Sequence, residues 1–256
     1  MHGPRRKPLR GPEAMLIQQV RRRLSRELGA YFVKRKSRSA VQGRQVSICF
    51  DDFPHSAASV GGDILQGAGA RATYYFSAGL CNRPSPVGHI VDLDTVRALA
   101  DRGHEIGCHT FAHNDATLLS RDELKASLEA NQRAVDFCKF ESFAFPFGYW
   151  NWGSKKTASE RFKTVRTAIK GINEGHADLA GLKSVPLYEG AGREGVDHWF
   201  KLLEKTDGWL IFYTHDVQAQ PSRFGCTPDL LAYCLKQAAQ LGCRVETVGM
   251  AASRLD

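Results

Sequence analysis

From Gln45 to the C-terminus, short apolar runs alternate with helix-patterned segments, and this alternation sets the strongest limit on what the chain can fold into. Residues 46–50, 72–76, 105–108, 142–145, 164–169, 182–187, 209–213 and 244–248 read as strands. Residues 57–67, 93–102, 121–137, 155–161, 195–206 and 227–241 read as helices. The last has a good start, with Thr227 as cap and Pro228 in the first turn. Strands that alternate with helices imply a parallel sheet with crossover connections. The chain has 256 residues, 43% of them hydrophobic, enough to fill one large core.

The polar residues of interest fall at strand ends. Asp51 and Asp52 follow the first strand, His109 follows 105–108, and His215 follows 209–213. Chemistry at the carboxyl ends of parallel strands fits a barrel whose loops build the site. His109 and His113 stand four residues apart, and His109 comes 57 positions after Asp52. One carboxylate and two imidazoles complete the protein ligands of a catalytic metal with an open position. The second carboxylate is then free to act as a base. The set points to metal-assisted hydrolysis.

Charge is concentrated at the N-terminus. Residues 1–40 hold twelve Lys/Arg and two Asp/Glu, a net of +10, and because the whole chain carries +8 the remainder is net −2. A nucleic-acid-binding domain spreads basic residues over a folded face, so no nucleic-acid partner is expected. The sequence divides into a basic arm, 1–40, and a catalytic body, 41–256. Within the arm, Leu16, Ile17, Val20, Leu24, Leu28, Tyr31 and Phe32 recur at helical spacing among arginines and lysines. This amphipathic pattern either packs on the body or lies on an anionic membrane through residues 15–38. No apolar run is long enough for a transmembrane helix. Seven scattered cysteines read as reduced thiols, and a cytoplasmic location is expected, with peripheral contact at the inner membrane face.

The motifs together resemble the polysaccharide deacetylase family, the NodB-homology domain of carbohydrate esterase family 4, over about residues 45–250. Cys49-Phe50-Asp51-Asp52-Phe53 resembles its Thr-Phe-Asp-Asp-Gly motif, and His109-Thr110-Phe111-Ala112-His113 its His-Ser/Thr-x-x-His motif. Ala144-Phe145-Pro146-Phe147-Gly148 is similar to Arg-x-Pro-x-Gly, and Tyr213-Thr214-His215 to Leu-x-His. The resemblance implies a distorted (β/α) barrel of about seven parallel strands. It implies that Asp52, His109 and His113 hold a divalent metal, zinc first, with cobalt, manganese or nickel also compatible. Asp51 would be the general base, His215 the general acid, and the Phe147 backbone N–H a donor to the oxyanion. The implied reaction removes an N-acetyl group from an amino sugar of a bacterial glycan or glycan precursor.

Several positions depart from the family pattern. The motif arginine that orients the catalytic aspartate is replaced by Ala144, and Arg166 is the expected substitute. Glu189 is the candidate acid for tuning His215. Phe53 stands where the family has glycine, which suggests a bulkier cleft floor. Trp150 and Trp152 are core residues or sugar-stacking groups above the site. Cys108 reads as a buried hydrophobe and Cys49 as a barrel filler. Competing readings are a hydrolase of another small C–N substrate, a catalytically inactive carbohydrate- or lipid-binding module, and a two-His-one-carboxylate iron oxygenase.

Overall fold

The computed structural model describes Glu27 and residues 29–256. Most of the amphipathic pattern of the arm lies outside these residues. The strands are β1 (Arg44–Asp51), β2 (Thr73–Phe76), the hairpin β3 (Pro84–Ser85) and β4 (Gly88–His89), β5 (Glu105–Cys108), β6 (Ser142–Ala144), β7 (Thr164–Arg166), β8 (Asn173–Glu174), β9 (Val185–Pro186), β10 (Gly208–Thr214) and β11 (Arg244–Val245). The helices are α1 (Gly62–Gly67, entered through a π-helical turn at Ala57–Gly61), α2 (Leu93–Asp101), α3 (Arg121–Ala134), α4 (Trp152–Arg161), α5 (Gly192–Leu203), α6 (Pro228–Gln240) and α7 (Val248–Ser253).

The main sheet runs β7-β6-β5-β2-β1-β10-β8, with β9 on β10 and β11 on β1. All of these pairings are parallel except β8 on β10. Segment 182–187 spans the gap between the two ends. Leu182 bridges Arg166 beside β7, the Ser184 N–H donates to the Ile169 carbonyl at 2.9 Å, and Val185 pairs with Phe212 in β10. The result is the distorted parallel barrel expected from the alternation of elements.

Period-two alternation sorts the side chains of β1. Val46, Ile48 and Phe50 face outward into the core beneath the helices. Cys49 faces the lumen with Tyr75, Ala144, Leu182, Trp209 and Ile211. Ser47 is buried and accepts the Trp209 indole N–H at 2.9 Å. Gly107 is required in the lumen wall, because a Cβ there would meet the Tyr75 ring at 2.6 Å. Cys108 joins the outer core, and all seven cysteines are free thiols.

The segment after the N-terminal helix end straps onto the body. Ser37 N–H donates to the Ala177 carbonyl and Ser39 N–H to the Leu255 carbonyl. The Arg35 guanidinium caps the C-terminal end of α4 through the carbonyls of Ser159, Phe162 and Lys163. Val41 then plugs the inner core among Ala177, Leu179 and Val248. The basic arm read from the sequence therefore merges with the body from about Arg35.

Other differences are local. The expected strand 244–248 stops at Val245, because Thr247 caps α7 by accepting the Met250 N–H. The expected helix 121–137 ends at Ala134. Trp150 is a core residue, 2% exposed against Phe145. Trp152 opens α4 and remains 44% exposed. No described helix is long and apolar enough to cross a membrane.

His104, just before β5, gives the fold an acid-sensitive point. Its buried Nδ1 accepts the Ala72 N–H at 3.1 Å, so the ring is neutral. Burial, with Arg102 and Arg71, lowers its pKa to about 4. Its contribution to stability is complete above the ordinary histidine value of about 6.5 and is lost as pH falls toward the folded value. Urea midpoints of the parent and of His104→Asn should therefore converge as pH is lowered from 7 toward about 4. A constant difference across that range would contradict this role.

Candidate metal centre

Neighbouring residues on a strand point to opposite faces, yet Asp51 and Asp52 meet at one site. The chain turns between them. Asp52 has φ 56°, and the Phe53 N–H donates to the Asp51 carbonyl at 2.6 Å. Aspartate is one of the few side chains that adopts this left-handed region readily. The same turn sends Phe53 away from the cleft. Its ring is fully buried against Tyr74 and Phe76, with centroids 5.0 and 5.3 Å away. The bulkier cleft floor expected from Phe53 is therefore absent.

His109 follows β5, and the loop beyond it delivers His113. The four-residue spacing suggests one face of a helical turn, but the segment is not helical. Thr110 and His113 have φ of 63° and 51°, and Thr110 Oγ1 accepts the Asn114 N–H at 3.0 Å. The rings nevertheless come together, with centroids 5.0 Å apart. Asp52 Oδ1 lies 4.0 Å from His109 Nε2, and Asp52 Oδ2 lies 3.4 Å from His113 Nε2. Atoms this far apart can share one ion about 2.0–2.2 Å from each.

The chemistry of this donor set fits a metal. Asp52 Oδ1 is buried with no hydrogen-bond partner. Burial and then the Asp51 charge push the Asp52 carboxyl up to about 7. Burial lowers His109 to about 3 and His113 to about 4, so both offer neutral nitrogens. His109 Nδ1–H donates to the Ala144 carbonyl at 2.8 Å, which leaves Nε2 free to ligate. Among the described residues, Asp52, His109 and His113 form the group with metal-binding spacing.

Helix α3 shapes the ligand loop, a role the sequence reading missed. Ser127 Oγ accepts the Phe111 N–H at 3.0 Å. Asn131 donates to the Phe76 carbonyl and accepts the Ala78 N–H, at 2.7 and 2.8 Å. Ser77 Oγ in turn holds the His109 carbonyl at 2.7 Å. The available signal was Asn131 itself, seven residues after Leu124 on the buried stripe of the helix. Asparagine on such a stripe needs polar partners.

Asp51 lies 5% exposed beside the ligand set and is held by Arg166. One guanidinium nitrogen, Nη2, donates to both Asp51 oxygens, at 2.7 and 2.5 Å. Nη1 donates to Ser184 Oγ at 3.2 Å. The guanidinium lies between the rings of Tyr75 and Tyr213, 5.1 and 4.7 Å from their centroids. Burial alone would raise the Asp51 carboxyl, but Arg166, with His109 and His215, outweighs it and keeps the value low. Arg166 sits directly opposite Ala144 in the β6–β7 register. The guanidinium missing at Ala144 is thus supplied from the next strand.

His215 follows β10, with Nδ1 on the Phe224 carbonyl at 3.2 Å. Burial lowers its pKa. Glu189 is engaged elsewhere, accepting the Thr227 N–H at the start of α6. Asp216, fully buried, ties the loop by accepting from Ser222 N–H and Oγ at 2.7 and 2.5 Å. Gly225 permits this, because a Cβ there would meet Asp216 Oδ1 at 2.3 Å. Phe147 has φ 58°, and its exposed ring packs edge-on against His113, 4.4 Å between centroids.

Residues 38–161 match the family model described as polysaccharide deacetylase. A curated chitin deacetylase from Arthroderma benhamiae is 25% identical over 210 residues, covering 80% of this chain and 50% of that protein. The chain therefore spans about half the length of the curated relative it matches. Among solved structures, the carbohydrate esterase family 4 domain of a multidomain xylanase from the hindgut metagenome of Trinervitermes trinervoides is 18% identical with TM-score 0.57, covering 83% of this chain and 91% of that one. The family 4 carbohydrate esterase of Streptomyces lividans, in complex with acetate, is 16% identical with TM-score 0.55, covering 80% and 92%. A family 4 pseudoenzyme from Bacillus anthracis is also 16% identical, with TM-score 0.58, covering 83% and 66%. At these identities the solved structures establish the fold. Taken with the motifs and the site they assemble, this chain is similar to the polysaccharide deacetylase family in fold and in the residues of its site.

Proposed function

We propose that this protein is a metal-dependent N-deacetylase of an amino sugar in a bacterial glycan or glycan precursor. The observation that carries the reading is a buried carboxylate, kept ionised by Arg166, next to an aspartate and two histidines with metal-binding spacing. Asp52, His109 and His113 would hold the metal, zinc in this reading, and when bound it would supply a Lewis acid for the acetyl carbonyl and for water.

The chain's own residues provide the rest. Asp51 takes the proton from the attacking water as general base. Arg166 fixes the Asp51 carboxylate and keeps it in the basic form. The Phe147 backbone N–H donates to the acyl oxygen as negative charge builds on it. His215 protonates the leaving amine. Burial makes its protonated form a stronger acid than an exposed imidazolium, which suits that transfer. The Phe224 carbonyl fixes the ring through Nδ1 and leaves Nε2 for the proton. Arg166 supports an active over a vestigial site, since a guanidinium pairs with Asp51 although Ala144 supplies none.

Three outcomes test this reading. Zinc-loaded protein should release acetate from an N-acetylated oligosaccharide, and Asp51→Asn should abolish release while still binding one zinc. Release by Asp51→Asn would remove the base assignment. No release by the parent from any N-acetylated sugar would shift the reading to another C–N substrate or a binding role. Arg166→Ala should lower kcat at neutral pH by about 100-fold or more and move the acid limb of the pH–rate profile upward, because burial then acts on Asp51 without its counter-charge. An unchanged limb would show that Arg166 does not set the base. Calorimetry should find zinc binding lost in Asp52→Ala and weakened about 10–100-fold in Asn131→Ala or Ser127→Ala. Unaltered affinity in both α3 variants would exclude the helix from shaping the site.

A further inference from the structure

Among the described residues, six of the eleven exposed large apolar side chains lie on segments that contact one another. Tyr31, Phe32, Leu118, Phe147, Tyr149 and Trp152 are 71, 67, 69, 58, 53 and 44% exposed. Contacts link the segments that carry them. The Gly29 position lies 3.1 Å from the Trp152 backbone, measured from an ideal Cβ. Asn151, beside Trp152, donates to the carbonyl of Thr117, beside Leu118, at 3.4 Å. The Phe147 and Tyr149 rings are 5.8 Å apart, and the Phe147 ring rests on the metal-site residue His113. An apolar band therefore runs from the N-terminal helix end to the metal centre.

Cations flank this band. Lys34 Nζ lies 5.4 Å from the Tyr31 ring centroid and Lys156 Nζ 5.3 Å from that of Trp152. Lys36 and Arg38 are exposed along the strap. Two nearby acids are already engaged: Glu160 with Arg121, and Asp178 with Lys155 and the Arg35 N–H. Residues 1–26, which lead into the patch, add eight Lys/Arg and one acidic residue.

We propose that Tyr31, Phe32 and Trp152, with Lys34 and Lys156, form a docking patch for an anionic lipid surface. Aromatic rings with a polar edge settle at the water–lipid boundary, and lysines reach the headgroups beside them. Each cation near an anionic leaflet adds to the attraction, so the basic segment and the patch reinforce each other. A neutral apolar partner would leave the cations unmatched. An acidic protein would leave the aromatic band without a matching environment. Because the band reaches His113, docking would turn the metal centre toward sugars carried at that surface; this clause alone rests on the deacetylase reading.

The test is co-sedimentation of the full chain with phosphatidylcholine vesicles, with or without phosphatidylglycerol. Binding is expected only with the anionic lipid. It should fall about 10-fold or more in Tyr31→Ser/Phe32→Ser and in Lys34→Glu/Lys156→Glu. Both double variants should keep the parent's urea midpoint, since the substituted side chains are exposed. Absence of binding to anionic vesicles would overturn the proposal. Full binding by both double variants would also overturn it, and would assign any attraction to the basic N-terminal segment alone. The readout does not depend on turnover, so it stands or falls separately from the deacetylase reading.

Discussion

The buried pair of Arg166 and Asp51 is the interaction on which the site depends. Two charges removed from water cost several kcal/mol each, and only close geometry with further contacts offsets that cost. Here Arg166 Nη2 donates to both Asp51 oxygens, Nη1 reaches Ser184, and two tyrosine rings flank the guanidinium. Removing one partner from such a pair typically costs about 3–5 kcal/mol, because the other charge is left buried alone. The pair lies in the barrel lumen between strands distant in sequence. It couples closure of the barrel to the ionisation of the carboxylate proposed as the base.

Two departures from the family motifs and one residue outside them become one change when seen this way. Ala144 leaves the lumen open where a guanidinium would rise from β6. Arg166, its partner across the β6–β7 register, enters from the next strand. Tyr213, at the position of the motif leucine, provides one wall of its slot. Small, charged and aromatic residues at these positions make sense only as a set. The Ala144 carbonyl keeps a further task, since it fixes the tautomer of His109. A likeness in fold alone would not carry this argument, because a family 4 pseudoenzyme shares the architecture.

Much of this was legible in the sequence. Strand–helix alternation suggested the barrel, the strand ends pointed to Asp51, Asp52, His109 and His215, and the spacing from His109 added His113. Arg166 could be named because the motif arginine of the resembling family is missing at Ala144, which makes a nearby basic residue worth seeking. What escaped the sequence depends on local backbone choices and distant partners. The spacing of His109 and His113 looks helical, yet two left-handed residues make a loop of it. Phe53 looks like a cleft residue until the turn at Asp52 sends its ring into the core. Glu189 was the candidate for the acid that tunes His215 in the resembling family, but its carboxylate accepts the Thr227 N–H. Ser127 and Asn131 act on backbone groups of other segments, and no periodicity encodes those partners.

The most direct test of the account is a crystal structure of the zinc-loaded protein, with the ion located by anomalous scattering at the zinc edge. The account predicts one zinc per chain on Asp52, His109 and His113, with Asp51 outside the coordination sphere and still paired with Arg166. Zinc coordinated by Asp51, or Arg166 turned away from it, would contradict the central claim that the arginine reserves this carboxylate for proton transfer.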